Sequence, residues 1–187
     1  ENLFESCKIE KNEIDYILLC TQSPDYLLPT PACIVQDKLG LSTSCGALDF
    51  NLGCSGYVYA LSVVTAFMEA NDFKKGLLFT ADPYSDIINS EDKNTALIFG
   101  DGATVSLLES SRSGLVSLGY DFGSKGVGYK NLVNDGQLYM NGRMVFNFTA
   151  ATVPKSINKL LVKLSIGNDD VEKWYLHQGS KYIVDTI

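Results

Sequence analysis

Short apolar runs alternate along the chain with segments of helical periodicity. Residues 14–20 (IDYILLC) form a continuous apolar run, which is typical of a strand buried on both faces of a helix-covered parallel sheet. Further strands are predicted at residues 47–52, 76–81, 96–99, 104–108, 115–120 and 171–176. Helices are predicted at residues 32–39, 57–71, 142–164 and 180–187, with loops at 21–31 and 121–137. Because strands alternate with helices, the pattern predicts an α/β fold.

Two of the predicted helices have unusual features. The helix at 57–71 carries apolar residues on nearly every side, namely Val58, Ala60, Leu61, Val63, Val64, Ala66 and Phe67. A helix of this kind is buried all round, so we expect a sheet on each of its faces. The helix at 142–164 contains Pro154, which predicts a kink or an interruption because proline has no amide hydrogen to donate.

The composition argues against several classes of function. A net charge of −7 and a pI of about 4.6 disfavour a nucleic-acid partner, which needs clustered Lys and Arg. No apolar run reaches the roughly 20 residues of a membrane span. The first ten residues lack the pattern of a signal peptide, and a start without Met predicts a chain that is cut or incomplete.

The cysteines predict free thiols. The sequence has five cysteines without a CxxC pair and a single histidine, so no metal site is expected. An odd number of cysteines without a visible signal peptide favours a reducing compartment, and we expect a cytoplasmic protein. A buried, inert role is the expectation for Cys7, Cys20, Cys33 and Cys45.

Cys54 is the candidate nucleophile. It stands in a predicted tight turn at residues 53–56 (GCSG), where a strand ends and the apolar helix begins. The glycines on either side permit a sharp bend. The free amide groups at a helix N-terminus favour a thiolate and can donate to the oxyanion of a bound acyl group. A small buried apolar cysteine is the alternative, and position alone leaves both open.

His177 is the candidate partner of this cysteine. Because it is the only histidine, any imidazole chemistry in this chain must use it. A lone histidine at the end of a strand is more often structural, and it lies so far along the chain from Cys54 that only the fold can bring the two together.

Segments spread over nearly the whole chain carry a family resemblance. They are, in order, residues 20–41, 51–67 (NLGCSGYVYALSVVTAF), 98–109 (IFGDGATVSLLE), 139–148 (YMNGRMVFNF) and 174–180 (WYLHQGS). The first three resemble, in turn, the segment before the active cysteine, the active-cysteine segment and the glycine hairpin of the ketoacyl-acyl carrier protein synthase III group. The last two resemble the segments that lead to its catalytic histidine. This group belongs to the thiolase superfamily.

The resemblance implies a thiolase-like five-layer α-β-α-β-α sandwich of two similar halves, here incomplete at both ends. Residues 1–118 would form most of the N-terminal half, which carries the cysteine. Residues 119–187 would form a loop and the start of the C-terminal half, which carries the histidine. The family's catalytic asparagine would follow residue 187.

The implied reaction is a decarboxylative Claisen condensation in fatty acid biosynthesis, which gives a 3-oxoacyl product. Cys54 would take an acyl group from acyl-CoA, and malonyl-acyl carrier protein would then lose carbon dioxide and attack the acyl-enzyme. His177 would stabilise the enolate oxygen. The expected partners are acyl-CoA, acyl carrier protein and a second copy of the chain, without nucleic acid, membrane, cofactor or metal.

The resemblance also implies substrate-binding residues. Thr21 and Leu28 match positions near the acyl pocket, with Leu28 offered across the dimer interface. Gly142 and Phe146 match positions near the pantetheine arm. Lys93 stands near the place of a family arginine, where it could meet a phosphate or the carrier protein, although a solvated lysine is the plainer alternative.

Several other functions compete with this interpretation. A hydroxymethylglutaryl-CoA synthase needs a glutamate where Gln22 stands, and an amide cannot transfer a proton as a carboxylic acid does. A degradative thiolase uses a second cysteine that no cysteine here matches. An acyltransferase to an oxygen or nitrogen nucleophile stays open, as does an inactive fragment or partner subunit. Residues 177–182 (HQGSKY) depart from the family's His-Gln-Ala-Asn and later arginine, which puts the usual CoA contacts in doubt.

Overall fold

The computed structural model describes residues 2–111 and 113–187. The chain divides into two compact units. Unit 1 comprises Glu1–Pro83 and Asp101–Gly114, and unit 2 comprises Tyr84–Gly100 and Leu115–Ile187. The division of the chain into thiolase-like halves at residue 118 stays a prediction.

Unit 1 is built on a four-stranded sheet. Its helices are α1 (Asn2–Cys7), α2 (Pro31–Leu39) and α3 (Gly56–Asn71). Its strands are β1 (Tyr16–Cys20), β2 (Gly46–Phe50), β3 (Lys75–Asp82) and β4 (Gly102–Glu109), in the order β2-β1-β3-β4. β1 pairs in parallel with β2 and β3, and β4 runs antiparallel to β3. The strands predicted at 14–20, 47–52, 76–81 and 104–108 are thus confirmed, with small shifts at their ends.

The apolar run of β1 is explained by helices on both sides of the sheet. Ile17 and Leu19 pack in one cluster with Ala32 of α2. Leu18 packs in a second cluster with Val64 of α3. Every residue of β1 is therefore buried, as its continuous hydrophobicity predicts.

Helix α3 is buried on one side only, so the prediction of burial all round is wrong for this structure. Ala60, Val64 and Met68 recur at helical spacing on the face that packs against the sheet. Val58 and Phe67 are 47% and 40% exposed. The physical reason is that, within the described part of unit 1, a single sheet covers the helix.

Unit 2 contains the remaining elements. They are α4 (Lys93–Ala96), β5 (Leu132–Asn134), β6 (Leu138–Met140), α5 (Gly142–Leu164) and α6 (Lys181–Thr186), with β5 and β6 paired antiparallel. Short 3₁₀ helices lie at Lys11–Glu13 of unit 1 and at Tyr84–Asp86, Gly126–Asn131 and Asn168–Asp170 of unit 2.

The long helix α5 has the bounds that its periodicity predicts. It begins after Asn141, whose side chain accepts a hydrogen bond from the amide of Met144, and it ends at Ser165 in a left-handed conformation. Pro154 lies inside the helix, which continues through it, so the predicted interruption does not occur. The helix predicted at 180–187 is also confirmed, since α6 is capped by Ser180.

Three predicted strands are wrong. Residues 96–99 end α4 and form a turn in which the amides of Ile98 and Phe99 both donate to the carbonyl of Thr95. The first arm of the expected glycine hairpin at 98–109 is therefore not a strand. Residues 115–120 and 171–176 also lie outside the strands. A strand needs a neighbour for its backbone hydrogen bonds, and in the described part of unit 2 the paired strands are β5 and β6.

The loop predicted at 121–137 is correct only in part, because it contains a 3₁₀ helix and β5. The loop at 21–31 is confirmed up to the start of α2. Among the described helices, none is both long enough and apolar enough to cross a bilayer.

Candidate active site

Cys54 lies in the predicted turn between β2 and α3. The amide of Gly56 donates to the carbonyl of Gly53 at 2.7 Å and closes the turn. Ser55 is the N-cap residue of α3, and its carbonyl accepts from the amide of Tyr59. Cys54 is exposed as a residue, and so are Cys7 and Cys33, for which the expectation of burial is wrong, whereas Cys20 and Cys45 are buried as expected.

Both glycines of this turn have side-chain atoms close to them. A Cβ at position 53 would lie 2.5 Å from Oε1 of Gln22. A Cβ at position 56 would lie 2.5 Å from Sγ of Cys20. From the sequence, these glycines are explained by the bend alone, whereas in the structure Cys20 at the end of β1 and Gln22 in the following loop also lie against the turn.

The surroundings of Cys54 favour the protonated thiol. Although the residue is exposed as a whole, protein atoms crowd its sulphur, and this desolvation raises the pKa of Cys54. The carboxylate of Asp82 raises the pKa further, while a hydrogen bond from the residue's own backbone lowers it. The expectation of a thiolate favoured by the helix N-terminus is thus not met in this structure, because the raising effects outweigh the lowering one.

Asp82 is a residue of the candidate site that the sequence analysis missed. One carboxylate oxygen accepts from the hydroxyl of Thr21 at 3.0 Å and from the amide of Gln22 at 2.6 Å. The available signal was its position, since an acidic residue ends an apolar strand at the carboxyl edge of a parallel sheet, where sites of α/β proteins form.

Of the candidate acyl-pocket residues, Thr21 is buried and Leu28 is not. Thr21 follows β1, and its hydroxyl also accepts from the amide of Ser23. Leu28 is 85% exposed beside Leu27, which is 98% exposed, and it precedes Pro29 across a cis peptide bond. Thr21 therefore holds Asp82, whose charge raises the pKa of Cys54, while Leu28 projects into solvent.

The candidate residues of unit 2 lie around α5 and α6. His177 is exposed and follows residues 171–176, which form neither a helix nor a strand, and a Cβ at Gly179 would lie 3.5 Å from its imidazole. Phe146 stacks on Tyr182 with ring centroids 4.7 Å apart, which joins α5 to α6. Gly142 is the exposed first residue of α5.

Lys93 is the exposed first residue of the short helix α4, which Asp92 caps by accepting from the amide of Asn94. No group of three or more metal-ligating side chains occurs among the residues that the structure describes. The roles assigned to Cys54, His177, Thr21, Leu28, Gly142, Phe146 and Lys93 stay predictions.

Comparison with known proteins gives a consistent family. The model of the family 3-oxoacyl-[acyl-carrier-protein] synthase III matches residues 48–126, which include Cys54. A beta-ketoacyl-[acyl-carrier-protein] synthase III of Geobacillus kaustophilus is 34% identical over 95% of this chain and 57% of its own length. One of Streptococcus agalactiae is 33% identical over all of this chain and 62% of its own length.

Solved structures agree with these sequences. A crystal structure of a 3-oxoacyl-(acyl-carrier-protein) synthase III superposes with a TM-score of 0.93 at 35% identity, over 99% of this chain and 63% of that one. The crystal structure of the 3-oxoacyl-[acyl-carrier-protein] synthase III of Aquifex aeolicus superposes with a TM-score of 0.90 at 25% identity, over 98% of this chain and 60% of that one. The chain thus spans about three fifths of the length of the relatives that it matches. By sequence and by its incomplete thiolase-like α/β fold, this chain resembles the 3-oxoacyl-[acyl-carrier-protein] synthase III proteins.

Proposed function

We propose that the protein containing this chain is an acyltransferase of the 3-oxoacyl-acyl carrier protein synthase III type, which joins an acyl-CoA to malonyl-acyl carrier protein in fatty acid biosynthesis. The observation that carries the proposal is the free cysteine Cys54, an exposed residue in the turn before α3, inside the segment that matches the family. The relatives that the chain resembles are synthases of this kind, and they suggest the reaction class.

In the first step, the sulphur of Cys54 attacks the thioester carbonyl of acyl-CoA. The new carbon–sulphur bond forms as the bond to the CoA sulphur breaks, and the thiol proton ends on the departing CoA. Because the pKa of Cys54 is raised, this proton must be lost as the bond forms, rather than beforehand in the resting protein. The amides at the start of α3 are the candidate donors to the developing oxyanion.

In the second step, malonyl-acyl carrier protein loses carbon dioxide, and the electron pair of the broken bond forms an enolate. Its carbon attacks the acyl carbonyl on Cys54, and the cysteine sulphur leaves. We assign to His177 a hydrogen bond to the enolate oxygen, which strengthens as negative charge grows there.

The proposal includes the expected partners. Acyl carrier protein and acyl-CoA are substrates, and no cofactor takes part in either step. Thr21, Leu28, Gly142, Phe146 and Lys93 contact these substrates, and the exposed Leu28 does so from a second copy of the chain in a cytoplasmic homodimer.

Intact-mass analysis of the full-length protein tests the proposal. Incubation with acyl-CoA adds one acyl group to the wild-type protein and to Cys33→Ala, a control that removes another exposed cysteine. Cys54→Ala gains no acyl group. Release of carbon dioxide from malonyl-acyl carrier protein then identifies condensation. Acyl loading without this release favours the transfer to an oxygen or nitrogen nucleophile, and the lack of any adduct favours an inactive subunit.

A further inference from the structure

Asp82 is joined to the turn of the candidate nucleophile by a short chain of contacts. Its carboxylate oxygen accepts from the backbone amide of Gln22 at 2.6 Å, which fixes the backbone of that residue at the end of β1. The side-chain amide of Gln22 donates to Oδ1 of Asn51 at 3.3 Å, just before the cysteine turn. The oxygen of the same amide group lies against Gly53, where a Cβ would stand 2.5 Å from it.

A second donor holds Asp82 in the same orientation. The hydroxyl of Thr21, a buried residue, donates to the oxygen that also accepts from Gln22. The backbone amide of Thr21 donates to the carbonyl of Phe50 at the end of β2. The carboxyl ends of three neighbouring strands therefore meet around one carboxylate.

We propose that Asp82 is a positioning residue for Cys54, acting through Gln22, which it fixes against the turn formed by residues 51–54. This inference rests on the proposed function of Cys54 only in giving the positioned thiol a reaction to perform. Gln22 occupies the place where a related class of enzyme needs a glutamate, and here it links Asp82 to the turn by hydrogen bonding and packing.

The charge of Asp82 has an effect that a purely structural residue would not have. Burial is the largest cause that raises the pKa of Cys54, a backbone hydrogen bond lowers it, and the carboxylate of Asp82 has the smallest of the three effects and raises it. Burial likewise has the largest effect in raising the pKa of Cys20, and Asp82 the smallest. The titratable groups around the turn are Asp82 from β3, Cys20 from β1, which packs against Gly56, and Tyr57 from the first turn of α3. The charge of Asp82 thereby adds to the burial that raises the pKa of this thiol.

The first test follows the alkylation of Cys54 by iodoacetamide against pH in the full-length protein. Asp82→Asn removes the charge, so the midpoint of the profile moves to lower pH. Asp82→Glu keeps the charge, and its midpoint stays above that of Asp82→Asn. Asp37→Asn, the same change at an exposed site on α2, leaves the midpoint where it is in the wild type. A midpoint in Asp82→Asn equal to that of the wild type overturns the proposal.

The second test measures amide hydrogen exchange over residues 51–56. Gln22→Ala leaves Asp82 in place and removes the side chain that contacts the turn, so exchange there becomes faster while exchange in α2 is unchanged. Unchanged exchange at 51–56 in this variant overturns the proposal, even where Asp82→Asn fails to fold. Neither measurement uses an acyl donor. Both therefore test the role of Asp82 independently of whether Cys54 carries an acyl group during catalysis.

Discussion

The thiol of Cys20 lies directly against Gly56, the first residue of α3. A Cβ at position 56 would stand 2.5 Å from Sγ of Cys20, far inside van der Waals contact. The thiol is buried and donates a hydrogen bond to the carbonyl of Leu52 at 3.0 Å, so it cannot swing away freely. The end of β1 and the start of α3 thus approach each other only because residue 56 is glycine.

This contact predicts that Gly56→Ala destabilises the protein by about 1–3 kcal/mol, the usual cost of overpacking a closed site. Cys20→Ala in the same chain removes the clashing sulphur, so the double variant loses less stability than the sum of the two single ones. Chemical denaturation measures both effects. Gly102→Ala, where the new methyl group meets open space, is the control and stays near the wild type. Strict additivity in the double variant would contradict the contact.

Tyr16 predicts a stabilising substitution. Its ring is 1% exposed and stacks on Phe67 at 4.5 Å, while its hydroxyl has no hydrogen-bond partner among the described residues. Tyr16→Phe keeps the ring and removes an unsatisfied polar group, so we expect a gain of about 1 kcal/mol in the free energy of unfolding. Tyr57→Phe, whose hydroxyl lies 3.3 Å from that of Ser106, gives no such gain.

Tyr16 also predicts that the stability of the protein falls at alkaline pH. Burial raises the pKa of Tyr16 from 10.0 to about 12. The unfolded chain loses the tyrosine proton at a lower pH than the folded chain does. The contribution of Tyr16 to the free energy of unfolding is therefore intact below pH 10 and is lost as the pH rises towards 12. Stability of Tyr16→Phe therefore falls less steeply over that range. If the stability of the wild type and that of Tyr16→Phe fall equally steeply between pH 10 and 12, a raised pKa of Tyr16 is not the cause.

Asp121 predicts that the stability of unit 2 falls at acidic pH. It accepts from the hydroxyl of Ser156 at 2.7 Å and pairs with Lys159, so the chain before α5 is tied to that helix. Lys159 and then Ser156 lower the pKa of Asp121 from its ordinary 3.8. The stabilisation is therefore present above pH 3.8 and is lost as the pH falls through the lowered value.

Asp121→Asn accordingly lowers stability at neutral pH, and its difference from the wild type shrinks in acid. Thermal melts across the pH range measure this. Asp135→Asn, in the exposed turn between β5 and β6, keeps good turn chemistry and changes stability little. A difference that persists undiminished below the lowered pKa would exclude the charge as its source.

The role proposed for His177 predicts that its substitution slows condensation but not acyl loading. If it donates to the enolate, His177→Ala slows condensation about 100-fold or more, the usual loss for one oxyanion donor. Acyl loading of Cys54 proceeds at nearly the wild-type rate, because that step does not use the imidazole. Intact mass and carbon dioxide release measure the two steps separately, with the exposed neighbour in Gln178→Ala as the control. Equal losses in both steps would remove the assignment.

The chain by itself determined the elements whose signals are local. The apolar run of β1, the glycine that ends α2, the turn around Cys54 and the periodicity of α5 each depend on a few adjacent residues, and the structure has all of them. Motif order likewise led to the same resemblance that the comparisons show. These features are encoded locally because capping, glycine conformation and helical spacing act over one or two turns of chain.

Only the tertiary structure decided what depends on neighbours from distant parts of the chain. Residues 171–176 alternate like a strand yet have no pairing partner in the described part of unit 2. Helix α3 is apolar all round yet meets one sheet. At Cys54, the helix N-terminus suggested a thiolate, but desolvation and the carboxylate of Asp82 raise the pKa instead. Desolvation and charge act through space, and sequence distance gives no measure of either.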